Sequence, residues 1–134
     1  MTDAPAPVRC DVVVPVHNAL RSTKNCLRTL RQHAPPWARL VVINDASDAP
    51  TTEWLRGQEG IVLLENEVNL GFVKTANRGL LFSDAPWVCL LNSDTLMTPG
   101  ALERMIRRYL GRLERDLAAE GFRGTLYVMT SAGG

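Results

Sequence analysis

Short apolar runs that break off at polar residues recur along this chain, and stripes of helical spacing lie between them. Asp11-Val12-Val13-Val14-Pro15-Val16 is rich in β-branched residues and ends in His17-Asn18. Leu40-Val41-Val42-Ile43 closes on Asn44-Asp45-Ala46-Ser47-Asp48. Ile61-Val62-Leu63-Leu64 closes on Glu65-Asn66, and Trp87-Val88-Cys89-Leu90-Leu91 on Asn92-Ser93-Asp94-Thr95. Runs of this length and composition read as strands covered on both faces, the habit of a parallel sheet. Pro15 removes one ladder donor, so it belongs where pairing is already ending.

The intervening segments carry a different period. Thr23, Cys26, Leu27 and Leu30 form the stripe of a helix from Ser22 to about Gln32, stopped by Pro35-Pro36. Ser47 or Asp48 is placed to cap a short helix around Thr51 to Arg56, with Gly57 or Gly60 ending it. A polar loop, Glu65 to Gly71, leads into a helix from Phe72 to about Leu81, with Phe72, Val73, Ala76 and Leu80 at core spacing. Thr98-Pro99 offers a cap hydroxyl followed by proline for a last helix. Its inner stripe is Leu102, Met105, Ile106, Tyr109, Leu110 and Leu113. The outward row Arg104, Arg107, Arg108, Arg112 and Arg115 reads as a solvated face before it reads as a phosphate or membrane surface. Thr125 to Met129 reads as one more strand and Ser131 to Gly134 as a frayed end. Alternation of strand and helix predicts an α/β fold, a parallel sheet built from right-handed βαβ units with helices on both faces.

Composition narrows this picture. A length of 134 residues fits one domain with a core of its own. Residues 1–9 are rich in Ala and Pro and are expected to be a disordered N-terminal segment. A net charge of +1 gives no global field for nucleic acid or an anionic membrane. No apolar run is long enough to be transmembrane and no signal peptide is recognisable, so a cytoplasmic location is expected. Cys10, Cys26 and Cys89 lack metal-type spacing and are expected to sit reduced in or near the core, which disfavours cysteine catalysis.

Three strand ends carry the chemistry: His17-Asn18, Asn44-Asp45 and Asn92-Ser93-Asp94. In a doubly wound sheet these ends share one edge, where ligands bind. Two readings of Asp94 stand side by side. It holds Mg²⁺ or Mn²⁺ together with phosphate oxygens and water, or it belongs to an Asx-type turn after the strand. Asp45 either accepts hydrogen bonds from a base or ribose, open to solvent until a ligand arrives, or caps the next helix. Lys74 and Arg78 are cations near the same edge or simply face water. No G-x-G-x-x-G follows the first strand and no P-loop occurs, which disfavours a dinucleotide site or a P-loop nucleotidase. A receiver-type domain would want an acidic pair where His17-Asn18 stands.

Taken in order, P-V-H-N, V-I-N-D-A-S-D, N-x-G-F-x-x-x-x-N-x-G-L and L-L-N-S-D-T resemble the family 2 glycosyltransferases of the GT-A fold, over roughly Cys10 to Arg108. Asn69-Leu70-Gly71-Phe72 and Leu90 to Thr95 look most like the rhamnosyltransferase-type branch. The resemblance implies a Rossmann-like GT-A three-layer sandwich with a mainly parallel sheet, here truncated. It implies transfer of a sugar from a UDP-, dTDP- or GDP-linked donor to a hydroxyl acceptor such as a saccharide, with inversion and with Mg²⁺ or Mn²⁺. Pro15, His17, Asn18 and Asp45 would surround base and ribose, and Asn77 and Arg78 the diphosphate or sugar. Asn92 and Ser93 would join the nucleotide-sugar site beside Asp94, the metal-binding member of a D-x-D motif. Asn92 stands where many members carry aspartate, and a neutral first position weakens metal binding.

Members of the family run well past the metal motif, into the acceptor surface and the general-base carboxylate. Past Asp94 this chain has only Glu103, Glu114, Asp116 and Glu120. The general base is expected to be absent, which leaves a non-catalytic nucleotide-binding fragment as the alternative reading. Residues 10–108 form the expected glycosyltransferase-like unit. Residues 109–134 continue the helix into a tail whose Gly121-Phe122-Arg123-Gly124 and following apolar strand resemble a segment of the hydantoinase A/oxoprolinase family.

Overall fold

The computed structural model describes residues 9–106 and the backbone of 126–130. Five strands lie in one all-parallel sheet of order β3-β2-β1-β4-β5: β1 Cys10–Val16, β2 Ala38–Asp45, β3 Ile61–Asn66, β4 Trp87–Leu91 and β5 Leu126–Thr130. Helices α1 (Leu20–His33), α2 (Ala49–Arg56), α3 (Phe72–Phe82) and α4 (Ala101–Met105) connect or follow them.

Alternation along β1 shows why its valine run forms a strand buried on both faces. Val12, Val14 and Val16 point into one cluster with Leu27, Leu30, Leu55 and Leu102, the α1, α2 and α4 side. Val13 joins Val41, Ile43, Val88, Leu90 and Ala76 in a second cluster beneath α3. Gly79 lets α3 lie close, since a Cβ there would overlap the Val13 side chain and stand 2.8 Å from Ile43 Cδ1.

The direction of chain travel reverses next to β1. The chain moves outward from β1 through α1 and α2 to β3, then returns through α3 to β4 on the other flank. The β1–β4 ladder ends at Val13↔Leu90, whereas β1 stays paired with β2 as far as Val16↔Asn44. The two central strands therefore part at their carboxyl ends, and Pro15 lies beyond the last β1–β4 pair.

At the opposite edge a network absent from the sequence reading ties the sheet together. Asp11 is fully buried and accepts from Arg39 Nε at 2.9 Å, Arg39 Nη2 at 2.7 Å and Ser83 Oγ at 2.6 Å. Burial pushes its carboxyl up, but these hydrogen bonds and the Arg39 charge outweigh it and hold the group below its ordinary value. Arg39 also stacks 5.5 Å from the Phe82 ring centroid.

Two expectations need correction. Phe72 and Val73 are exposed, at 48% and 69%, whereas Ala76 is buried and Leu80 packs on the α3-side cluster as expected, with Thr75 and Gly79 buried as well. Thr75 Oγ1 accepts from Asn66 Nδ2 at 3.0 Å, which satisfies the buried hydroxyl. Thr98-Pro99 does not open α4; the helix starts at Ala101 behind Gly100, whose φ of 70° is left-handed. Thr98 contributes its carbonyl to Ala101 N–H in a preceding turn. Leu102 is buried and Met105 and Ile106 pack on the same cluster, while Arg104 is exposed. Tyr109, Leu110, Leu113 and the remaining arginines of that stretch lie outside the described residues, as does Ser131 to Gly134.

Candidate functional site

The parting of β1 and β4 opens a cavity of about 440 Å³ at the carboxyl edge of the sheet. Open α/β sheets bind ligands at such a reversal point. One side is Pro15, Val16 and His17 from the end of β1, and the other is Asn92, Ser93 and Asp94 after β4. Asp45, Asn69, Gly71, Phe72 and Thr75 complete the wall. The three strand ends singled out in the sequence thus meet, although Asn18, Asn77, Lys74 and Arg78 are not on the lining.

Each of those four has a place elsewhere. Asn18 has φ 56° and is occupied with the β2 loop: its N–H donates to Ser47 Oγ at 2.8 Å and its Oδ1 accepts from Asp48 N at 2.7 Å. Asn77 and Lys74 are exposed on α3. Arg78 donates to Glu65 O at 2.7 Å and Asn66 Oδ1 at 2.6 Å. Asn66 in turn donates to Asp45 Oδ1 and Thr75 Oγ1, both at 3.0 Å. Arg78 therefore supports the cavity wall from behind.

Asp45 departs from expectation. It is only 3% exposed, and its side chain is neither open to solvent nor a helix cap. Oδ1 accepts from Leu70 N–H at 2.7 Å and Oδ2 from Gly71 N–H at 3.0 Å, which clamps the 66–71 loop to β2. Burial raises its pKa, but these bonds, with that from Asn66, bring it below the ordinary carboxylate value. Within that loop Gly71 adopts φ 87°, a conformation that glycine takes without strain. Helix capping falls instead to Asp48, whose Oδ1 accepts from Thr51 N–H at 3.1 Å.

His17 is exposed, and its Nδ1 lies 2.7 Å from the Asp45 carbonyl. A carbonyl only accepts, so Nδ1 carries the hydrogen, and in the neutral ring Nε2 is the acceptor. Asn18 Nδ2 and Asn69 Nδ2 each stand 3.4 Å from it. Left-handed, non-glycine backbone occurs at Asn18, Ala19 and Ala46, in the turns that follow β1 and β2. Such conformations persist where surrounding contacts fix the chain, often at functional sites.

Asp94 is exposed at the lip, and Asn92 and Ser93 beside it are half-buried. Among the described residues no three His, Cys, Asp or Glu side chains stand together as a cation cage. Burial, with the Asp94 charge nearby, pushes the Cys26 thiol beneath this stretch up to about 12, so it stays protonated. The sequence reading missed Asn66 and Thr75. A signal for Asn66 existed, since asparagines end or follow β1, β2 and β4 as well; Thr75 carried none, lying outside the apolar stripe read along that helix.

The sequence profile described as Glycosyl transferase family 2 matches residues 11–117. The chain belongs to glycosyl transferase family 2. It is 31% identical over 109 residues to an uncharacterized protein of Mycobacterium tuberculosis, a match taking in 78% of this chain and 34% of that protein. Solved glycosyltransferase structures share the fold. A mannosyltransferase of Pyrobaculum calidifontis, in complex with GDP-Man and Mn²⁺, superposes with TM-score 0.65 at 20% identity, over 74% of this chain and 31% of that one. S. aureus TarS (residues 1–349) gives TM-score 0.63 at 19% identity, over 80% and 32%. This family 2 chain therefore spans about a third of the length of its relatives. Its architecture is the α/β GT-A type. Among the described residues no helix is long and apolar enough to cross a membrane.

Proposed function

We infer that this chain is the donor-binding part of a glycosyltransferase, taking a nucleoside-diphosphate sugar in the cavity at the β1/β4 edge. The observation that carries this reading is the convergence of His17, Asp45 and Asn92 to Asp94 on one cavity, in a chain of this family. Its volume lies within the usual range for small-molecule sites. Pro15 and Val16 offer a flat wall to a base, and His17 offers its Nε2 as a hydrogen-bonding group. The carboxylate of Asp45 is engaged by the 66–71 loop, so its part is to shape the wall, with any direct ligand contact requiring that loop to yield. Asn77 and Arg78 would touch diphosphate or sugar only if the ligand extended over α3. The motifs Asn69 to Phe72 and Leu90 to Thr95 favour a rhamnosyltransferase-like donor. The GDP-Man and Mn²⁺ bound by the mannosyltransferase neighbour favour a GDP-linked sugar equally well.

The donor chemistry at the lip fits a hard divalent cation. Asp94 is a single exposed carboxylate flanked by the amide of Asn92 and the hydroxyl of Ser93. Mg²⁺ and Mn²⁺ are commonly held by one or two carboxylates, keeping waters and taking the remaining oxygens from phosphates. Asp94 would hold the cation, with Asn92 and Ser93 turned toward its waters or the diphosphate. When bound, the cation supplies positive charge to the departing diphosphate. Transfer with inversion to a hydroxyl acceptor also needs a base on the opposite face of the sugar. Among the described residues the one carboxylate after Asp94 is Glu103, on α4 and away from the cavity lining. This favours donor binding without transfer for the chain by itself.

Melting temperatures with UDP, dTDP and GDP, each with and without Mn²⁺, test the reading. A shift is expected only when nucleotide and metal are present together. A ligand at a hundred times its Kd adds roughly 2.7 kcal/mol. Asp94→Ala is expected to abolish the shift and leave the unliganded melting temperature nearly unchanged; an equal shift in this variant removes the metal from Asp94.

A further inference from the structure

Asp94 lies in a stretch that the sheet does not hold. The β1–β4 ladder ends at Leu90 and β4 at Leu91, while α4 begins only at Ala101. A side chain that must meet a cation at a defined angle needs its backbone fixed by something else. Helix α1 supplies this from below. Thr29 is 8% exposed, and its hydroxyl donates to the Cys26 carbonyl at 3.0 Å, which orients the oxygen. The same oxygen accepts from Met97 N–H at 2.9 Å, a buried bond across 68 positions of chain. One turn earlier on the same helix face, Cys26 Sγ lies 3.7 Å from the Asn92 carbonyl. A local turn, Thr95 N–H to Asn92 O at 3.1 Å, closes the segment between the two anchors. Asp94 sits inside that bracket, and among the described residues its carboxylate takes no hydrogen bond of its own.

We propose that Thr29, assisted by Cys26, is a positioning residue for Asp94: from α1 it fixes the 92–97 stretch and so the direction in which the carboxylate presents its oxygens to a divalent cation. This rests on the reading of Asp94 as the metal carboxylate. The hydroxyl is the stronger anchor, because a thiol is a weak donor. Groups that orient a metal ligand from behind typically account for 10–100-fold in metal affinity.

The test is the Mn²⁺ concentration giving half-maximal binding, read by water-proton relaxation on the full chain with UDP, GDP and dTDP in turn. Thr29→Val keeps the shape, removes the acceptor and leaves Met97 N–H unpartnered; it is expected to raise that concentration about tenfold or more. Thr29→Ser is expected to restore it to within about threefold, since the oxygen returns. Cys26→Ala leaves the Met97 anchor intact and is expected to give a smaller rise, so the idea stays testable if Thr29→Val does not fold. A residue that only stabilised the fold would lower the melting temperature and leave the Mn²⁺ midpoint alone. Wild-type Mn²⁺ affinity in both Thr29→Val and Cys26→Ala, with Asp94→Asn having lost it, overturns the positioning role alone. Wild-type affinity in Asp94→Asn overturns the metal reading and the positioning role with it.

Discussion

A single carboxylate can look the same in sequence whether it faces a ligand or holds up the chain. Asp45 follows a buried apolar strand among small polar residues, a setting that reads as an open ligand group. Its partners are the N–H groups of Leu70 and Gly71, 25 and 26 positions away, and no local pattern announces them. Asp45→Asn turns an amide N–H₂ toward one of these donors. Urea denaturation is expected to show a loss of about 1–3 kcal/mol, the cost of leaving a buried donor unsatisfied. Because the folded pKa of Asp45 lies below its ordinary value, its contribution is present above that value. It is lost as pH falls through the folded pKa, so the gap between wild type and Asp45→Asn is expected to narrow in strong acid. A gap that widens there contradicts the clamp. Asp11 escaped notice for a related reason: at the head of a valine run it reads as the flank of a strand, and only the β1–β2 register sets Arg39 beside it.

Elements were more legible than their partners. Strand runs bounded by polar residues fixed β1 to β4 to within two residues at each end, because a parallel strand is apolar on both faces and carries its signal in one short window. α1 was equally clear, its stripe of Thr23, Cys26, Leu27 and Leu30 all buried. α3 was found with Ala76 and Leu80 correctly inward, but its first turn was misread, since Phe72 and Val73 outweigh Thr75 and Gly79 in any hydrophobic count. What seats α3 is absence of bulk. Gly79→Ala adds a methyl against Val13 and Ile43, an overpacking that typically costs about 1–3 kcal/mol. Improved helix propensity returns up to about 1 kcal/mol. A net loss of stability is expected, together with weaker nucleotide binding, because the Gly71–Thr75 wall moves with the helix. Unchanged denaturation midpoints would mean that α3 tilts freely on the sheet. The start of α4 was displaced for a simpler reason: a turn at Thr98 intervenes, and Thr-Pro opens turns as readily as helices.

For the molecule as a whole, the order of four motifs carried the family, and the sheet explains why order matters: three of them close β1, β2 and β4, the third in order forms the loop after β3 and most of α3, and reversal beside β1 brings them to one edge. The tail beyond residue 106 contributes only the backbone of β5 to the described structure, paired in parallel with β4. Incubated with labelled nucleotide sugars and mixed hydroxyl acceptors, the chain is expected to bind donor and give no acceptor-dependent product above background. Product formed at ordinary enzyme rates would place the base within these residues. One packing detail also makes the molecule its own probe. Cys10, Cys26 and Cys89 belong to a single buried cluster, on β1, α1 and β4, with thiols pushed up to about 12, 12 and 11 by burial. An alkylating reagent reaches them only when that layer opens, so labelling rates act as a clock on the native state. Cys10 and Cys89 are expected to react together, timing the separation of the central strands. Cys26 is expected to react sooner, because lifting the 92–97 stretch alone uncovers it. Nucleoside diphosphate with Mn²⁺ is expected to slow Cys26 more than the other two, so that one mass spectrum distinguishes a loosened rim from an opened core.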